Sequence, residues 1–98
     1  MKTLEEIKNI LREQKNGLKE RYGVKEIGIF GSFARGEQKK ISDVDILVEF
    51  ERPIGLKFFE LADYIEEILG IKIDLLTPNA LKQKPLLWQS AAEDLIYV

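Results

Sequence analysis

The chain has 98 residues, no histidine and no cysteine, with 15 Lys plus Arg against 17 Asp plus Glu, for a net charge of −2. That composition excludes disulfide frameworks, thiolate or imidazole zinc sites, cysteine nucleophiles and Ser-His-Asp triads within the chain. Any chemistry must rest on carboxylates, Lys, Arg, Tyr, hydroxyls, backbone amides or a hard cation bound by oxygen.

At 45% hydrophobic and 33% charged, the chain reads as one globular domain over residues 1–98. Near-neutral charge argues against direct nucleic-acid binding, which leaves a basic footprint. The halves differ: residues 1–40 carry 10 basic and 6 acidic side chains, whereas residues 41–98 carry 5 and 11. No apolar run approaches the ~20 residues of a membrane span, and the N-terminus lacks a signal-peptide core. The expected location is cytoplasmic, with no membrane partner.

Thr3 and Glu6 have capping-box spacing. Leu4, Ile7, Leu11 and Leu18 recur at helical intervals, with Ile10 beside them, so a helix is expected from Leu4 to Tyr22, stopped by Gly23. Gly17 within it costs about 1 kcal/mol relative to alanine. Val24 to Phe30 mixes β-branched and aromatic residues and reads as a strand. Gly31-Ser32-Phe33-Ala34-Arg35-Gly36 follows as a turn opening a short helical turn, then a polar loop over residues 37–42.

Val44 to Phe50 reads as a second strand, with Val44, Ile46, Val48 and Phe50 on one face and Asp43, Asp45, Leu47 and Glu49 on the other. Pro53 and Gly55 break the chain. A helix is expected over Leu56 to Leu69, a third strand over Ile71 to Leu76, a loop or short helix from Pro78, a last helix from Pro85 to about Glu93, and a short strand over Leu95 to Val98. The order implies an α+β fold: a small mixed sheet packed with helices.

Three features carry possible chemistry. Gly31-Ser32 follows a strand directly. A glycine there lets backbone approach a ligand, and the amides opening the next turn favour phosphate oxygens. Asp43 and Asp45, at i and i+2, share a face roughly 6–7 Å apart and could lean onto a divalent ion. Asp74 interrupts the apolar run Ile71-Lys72-Ile73-Asp74-Leu75-Leu76 and could lie about 4.8 Å away on a neighbouring strand. Each feature alone has a plain structural reading: a turn, an exposed cap, a solvated strand position. Together they differ, because three neighbouring carboxylates are costly without a cation between them. A phosphate-binding turn beside a carboxylate cluster suits phosphoryl or nucleotidyl transfer.

Gly31-Ser32, ten residues, then Asp43-x-Asp45 resembles the signature of the DNA polymerase beta-like nucleotidyltransferase superfamily. The longer string, with Ser42-Asp43-x-Asp45-Ile46-Leu47-Val48 and Ile73-Asp74-Leu75-Leu76-Thr77, is similar to its smallest branch, the minimal nucleotidyltransferases.

The resemblance implies the polymerase beta-like fold and a set of roles. Asp43 and Asp45 would ligate two divalent ions, Mg²⁺ in the first instance. Asp74 would complete that metal site and serve as base toward the attacking hydroxyl. Gly31 and Ser32 would hold the β- and γ-phosphates of ATP. Arg35 would lie near the same phosphates or an acceptor; the alternative is a solvated turn residue or an Arg tied to a carboxylate. The branch implies a partner too, a HEPN-family toxin, with AMP transferred from ATP to a tyrosine of that ribonuclease. Two other readings stay open. One is a non-catalytic antitoxin that masks its partner through apolar residues among Phe33, Phe58, Phe59, Leu86, Leu87 and Trp88, most of which helical spacing assigns to the core. The other is transfer to a small-molecule or nucleic-acid acceptor, weakened by the charge balance and the lack of a second domain.

Overall fold

A computed structural model describes every residue except Met1 and Ile41. The first helix, α1 (Leu4–Tyr22), begins where the capping box demands: the Thr3 hydroxyl accepts from the Glu6 amide at 3.3 Å, and Glu6 Oε1 accepts from the Thr3 amide at 3.3 Å. It ends at Gly23, whose φ of 69° is the left-handed cap that stops a helix. Ile7, Leu11, Leu18 and Tyr22 form its buried stripe.

Strand β1 (Val24–Phe30) follows, then the four-residue helix α2 (Ser32–Arg35) and strand β2 (Val44–Phe50). Helix α3 (Lys57–Leu69) crosses over to strand β3 (Ile73–Leu76). Helices α4 (Pro78–Lys82) and α5 (Pro85–Asp94) and strand β4 (Ile96–Tyr97) complete the chain. The sheet order is β3-β2-β1-β4, with β2–β3 parallel and both pairs made by β1 antiparallel.

Strand alternation divides the core between the two faces of this sheet. On one face Ile27, Ile29, Val44, Ile46 and Val48 pack against the stripes of α1 and α3 and against Phe33. On the other, Phe30, Leu47 and Leu76 meet Leu81 of α4 and Ala91 of α5. Asp45 lies between Val44 and Ile46 in β2, so its side chain belongs to the second face.

Three boundaries depart from the sequence expectation. Strand β3 begins at Ile73, not Ile71: Gly70 reverses the chain, and Glu66 of α3 accepts from the Ile73 amide at 3.0 Å, so Ile71 and Lys72 complete the turn. Helix α3 begins at Lys57 because Leu56, 83% exposed, has no capping side chain, and the opening amides bond three residues back instead. Strand β4 is confined to Ile96–Tyr97, since the Leu95 amide still bonds the Ala91 carbonyl of α5. Among the described residues, no helix is long and apolar enough to cross a membrane.

Candidate active site

The parallel β2–β3 register brings Asp45 and Asp74 side by side. Partners in a parallel pair point to the same face, and their flanks, Val44 with Ile73 and Ile46 with Leu75, hold the alignment by apolar packing on the other face. Asp43 precedes β2 and is exposed; Asp45 and Asp74 are half-buried.

Burial pushes the Asp45 carboxyl from 3.8 up to about 6, with the negative charges of Asp74 and then Asp43 adding to it and Arg35 opposing. The field at this position is therefore short of positive charge. The donor set is all oxygen and anionic, which matches a hard divalent cation that keeps water and borrows phosphate ligands. Among the described residues no three acidic side chains already close on one point. Such an ion would take Asp45 and Asp74 first, and its remaining ligands from water, substrate or a turned Asp43.

Gly31 closes the site on the β1 side. Its φ of 76° and ψ of −152° belong to a region essentially reserved for glycine. A Cβ there would collide with Asp45 Oδ2, so the missing side chain lets the turn lie directly on the carboxylate. Helix α2 then starts at Ser32, and its first amides have no intrahelical acceptor. The turn is stitched by the Arg35 amide to the Gly31 carbonyl, 3.2 Å, and the Glu37 amide to the Ser32 carbonyl, 2.9 Å. Gly31, Ser32, Asp45 and Asp74 thus border one end of the sheet.

Arg35 is held by carboxylates. Its Nη1 donates to Asp94 Oδ2 of α5 at 2.6 Å and its Nε to Glu37 Oε2 at 3.2 Å. Ser90 also donates to Asp94, at 3.2 Å. These hydrogen bonds, Asp94 first, raise the guanidinium pKa further above its usual value. Asp94, Glu37 and Ser90 drew no attention in the sequence: Asp94 is 59 residues from Arg35, and no periodicity encodes that pairing. Of the six apolar candidates for a masking surface, Phe33 is fully buried and Phe58 and Leu87 partly so, whereas Phe59, Leu86 and Trp88 are exposed.

Several known proteins resemble this chain. Residues 11–98 match the family model described as a nucleotidyltransferase domain. A Methanocaldococcus jannaschii protein, provisionally named a protein adenylyltransferase, is 60% identical over 99 residues, covering 100% of both chains. Protein adenylyltransferase MntA of Thermococcus cleftensis is 57% identical over 83 residues, covering 84% of each. Among solved structures, a chain provisionally described as a minimal nucleotidyltransferase superposes with a TM-score of 0.75 at 32% identity, over 97% of this chain and 95% of that one. At 20% identity, where only the fold is comparable, a chain from the complex of an MNT antitoxin with tri-AMPylated Shewanella oneidensis HEPN toxin superposes with a TM-score of 0.57, over 96% of this chain and 66% of that one. By its sequence and by its four-stranded mixed sheet, the chain belongs to the nucleotidyltransferase domain family.

Proposed function

We propose that this nucleotidyltransferase moves AMP from ATP onto a tyrosine hydroxyl of a HEPN-family toxin, and so acts as its antitoxin. One observation carries the reading: Asp45 stands opposite Asp74 with the Gly31 turn pressed against it, which puts an anionic, cation-seeking end of the sheet beside a phosphate-binding turn. The relatives named as protein adenylyltransferases and the fold neighbour found with an AMPylated HEPN toxin supply the acceptor class.

In this reading the Gly31 and Ser32 backbone and the Ser32 hydroxyl hold the β- and γ-phosphates. Asp43, Asp45 and Asp74 would hold two Mg²⁺ ions, which would neutralise charge on the triphosphate. The tyrosine oxygen forms a bond to the α-phosphorus, the bond to the β-phosphate oxygen breaks, and pyrophosphate leaves with the electron pair. Asp74 takes the hydroxyl proton. Arg35 would lie near the phosphates, with its Nη1 and Nε engaged by Asp94 and Glu37. The compartment this reading implies is the cytoplasm, where ATP and a ribonuclease toxin meet.

The test is transfer of label from α-labelled ATP, with Mg²⁺, to a HEPN-family protein encoded beside this chain. Asp43→Asn with Asp45→Asn reduces labelling to background; labelling that survives both changes overturns the site assignment. The double variant also fails to neutralise toxicity. A masking antitoxin, to which the exposed Phe59, Leu86 and Trp88 lend an apolar surface, predicts that it still neutralises.

A further inference from the structure

A second charged feature lies at the opposite end of the sheet. The last turn of α1, the residues after β2 and the start of α3 enclose a cavity of about 250 Å³ lined by Arg21, Tyr22, Arg52, Pro53, Ile54 and Lys57. Three of the six are cations and none is acidic. Among the described residues, none of the three has a carboxylate within salt-bridge distance. Glu51 faces Lys19 at 4.0 Å, and one acid borders the cavity: Glu60 accepts from the Tyr22 hydroxyl at 3.3 Å, the hydroxyl to which Arg21 also donates.

One of the cations is held in place, and a second lies beside a glycine. The Arg21 guanidinium lies over the Tyr64 ring at 4.7 Å and the Tyr22 ring at 5.1 Å, and donates to the Tyr22 hydroxyl at 3.2 Å. Arg52 runs along Gly23, and its Cζ would be 3.8 Å from a Cβ at that position. A side chain held as Arg21 is loses less entropy when a ligand arrives. Planar guanidinium forks also suit oxyanions.

We infer that this cavity is a binding site for a phosphate monoester or free orthophosphate. A single carboxylate or a phosphodiester carries one charge and leaves two cations unanswered. A phosphate monoester carries about −1.5 to −2 and offers three acceptor oxygens, one for each cation. The site is separate from the carboxylate end: Gly23 and Gly31 flank the seven residues of β1, a length of roughly 20 Å or more. One bound nucleotide does not place a phosphate at both ends.

The experiment is a backbone-amide NMR titration of the full chain with orthophosphate and, separately, with AMP, at low salt. The site predicts saturable shifts at Gly23, Arg52, Ile54 and Lys57, weakening as salt screens the charges. Arg52→Gln with Lys57→Gln, both exposed and remote from the core, weakens binding about tenfold or more while the melting temperature stays unchanged. Equal affinity for the two ligands assigns the free anion, and tighter AMP binding assigns a nucleoside monophosphate. Shifts confined to residues 31–36, an unchanged affinity in the double variant, or tighter binding of an oligoglutamate peptide overturns the assignment.

Discussion

Asp45 and Asp74 sit as direct partners across a parallel strand pair, two carboxylates side by side in a sheet that elsewhere pairs apolar residues at these strands. Burial and this neighbour keep the Asp45 carboxyl protonated up to about pH 6. The unfolded chain releases that proton near 3.8. The folded state therefore binds the proton more tightly, and this group's contribution is fully present below the unfolded value. It is lost as pH rises from about 4 through 6, a destabilisation that solvent screening at this half-buried site keeps to about 1–2 kcal/mol at neutral pH.

Asp45→Asn removes that penalty. The variant is expected to melt several degrees above the parent at pH 7.5 in metal-free buffer and to converge with it near pH 4, while nucleotidyl transfer is lost. Thermal unfolding followed across that pH range checks the sign: a variant less stable than the parent at pH 7.5 contradicts the placement of Asp45 in an anionic field.

A cation relieves the same repulsion. Millimolar Mg²⁺ is expected to stabilise the parent chain, by about 2.7 kcal/mol at a hundredfold excess over its dissociation constant, and to do little for Asp45→Asn with Asp74→Asn. Differential scanning calorimetry with and without Mg²⁺ measures the gap between the two responses. Equal shifts in both proteins place the ion elsewhere.

Gly31→Ala tests the closeness of the turn to the carboxylate. The new Cβ meets Asp45 Oδ2 and the backbone must leave a conformation that alanine avoids, at a cost of about 1–3 kcal/mol. Displacing the carboxylate by an ångström is expected to lower transfer by about 100-fold. Gly36→Ala, whose Cβ would meet nothing within 4 Å, strains its own backbone without displacing Asp45 and serves as the comparison. Equal activities for the two variants remove the special role of Gly31.

Gly17 is the opposite case. It lies inside α1 with nothing within 4 Å of its prospective Cβ and a helical backbone. Gly17→Ala is expected to add about 1 kcal/mol of stability, or roughly 4–8 °C in melting temperature, with transfer unchanged.

The elements with local signals were legible from the chain. Thr3, Glu6 and Gly23 bound α1 through capping chemistry, and the Val24–Phe30 and Val44–Phe50 strands end where charge or glycine interrupts them. The proximity of Asp74 to Asp45 was also legible, because an acid in an apolar strand needs a reason. Boundaries that depend on tertiary partners were not. Ile71 and Lys72 look like strand by composition, yet Glu66 on α3 decides where β3 starts. The tie between Arg35 and Asp94 joins residues on α2 and α5 that share no spacing rule. The exposure of Phe59, Leu86 and Trp88 depends on which face of a short helix docks, which helical spacing alone leaves ambiguous.

The parallel pairing of β2 with β3 also acts as a gauge of correct assembly. A slip of one residue would turn Asp74 toward the face packed under α1 and α3 and bring Ile73 and Leu75 out with Asp45. The two acids cannot escape each other by a one-residue slide, because that alignment buries a charge. The uncomfortable contact is thus held against the smallest slip by its apolar neighbours.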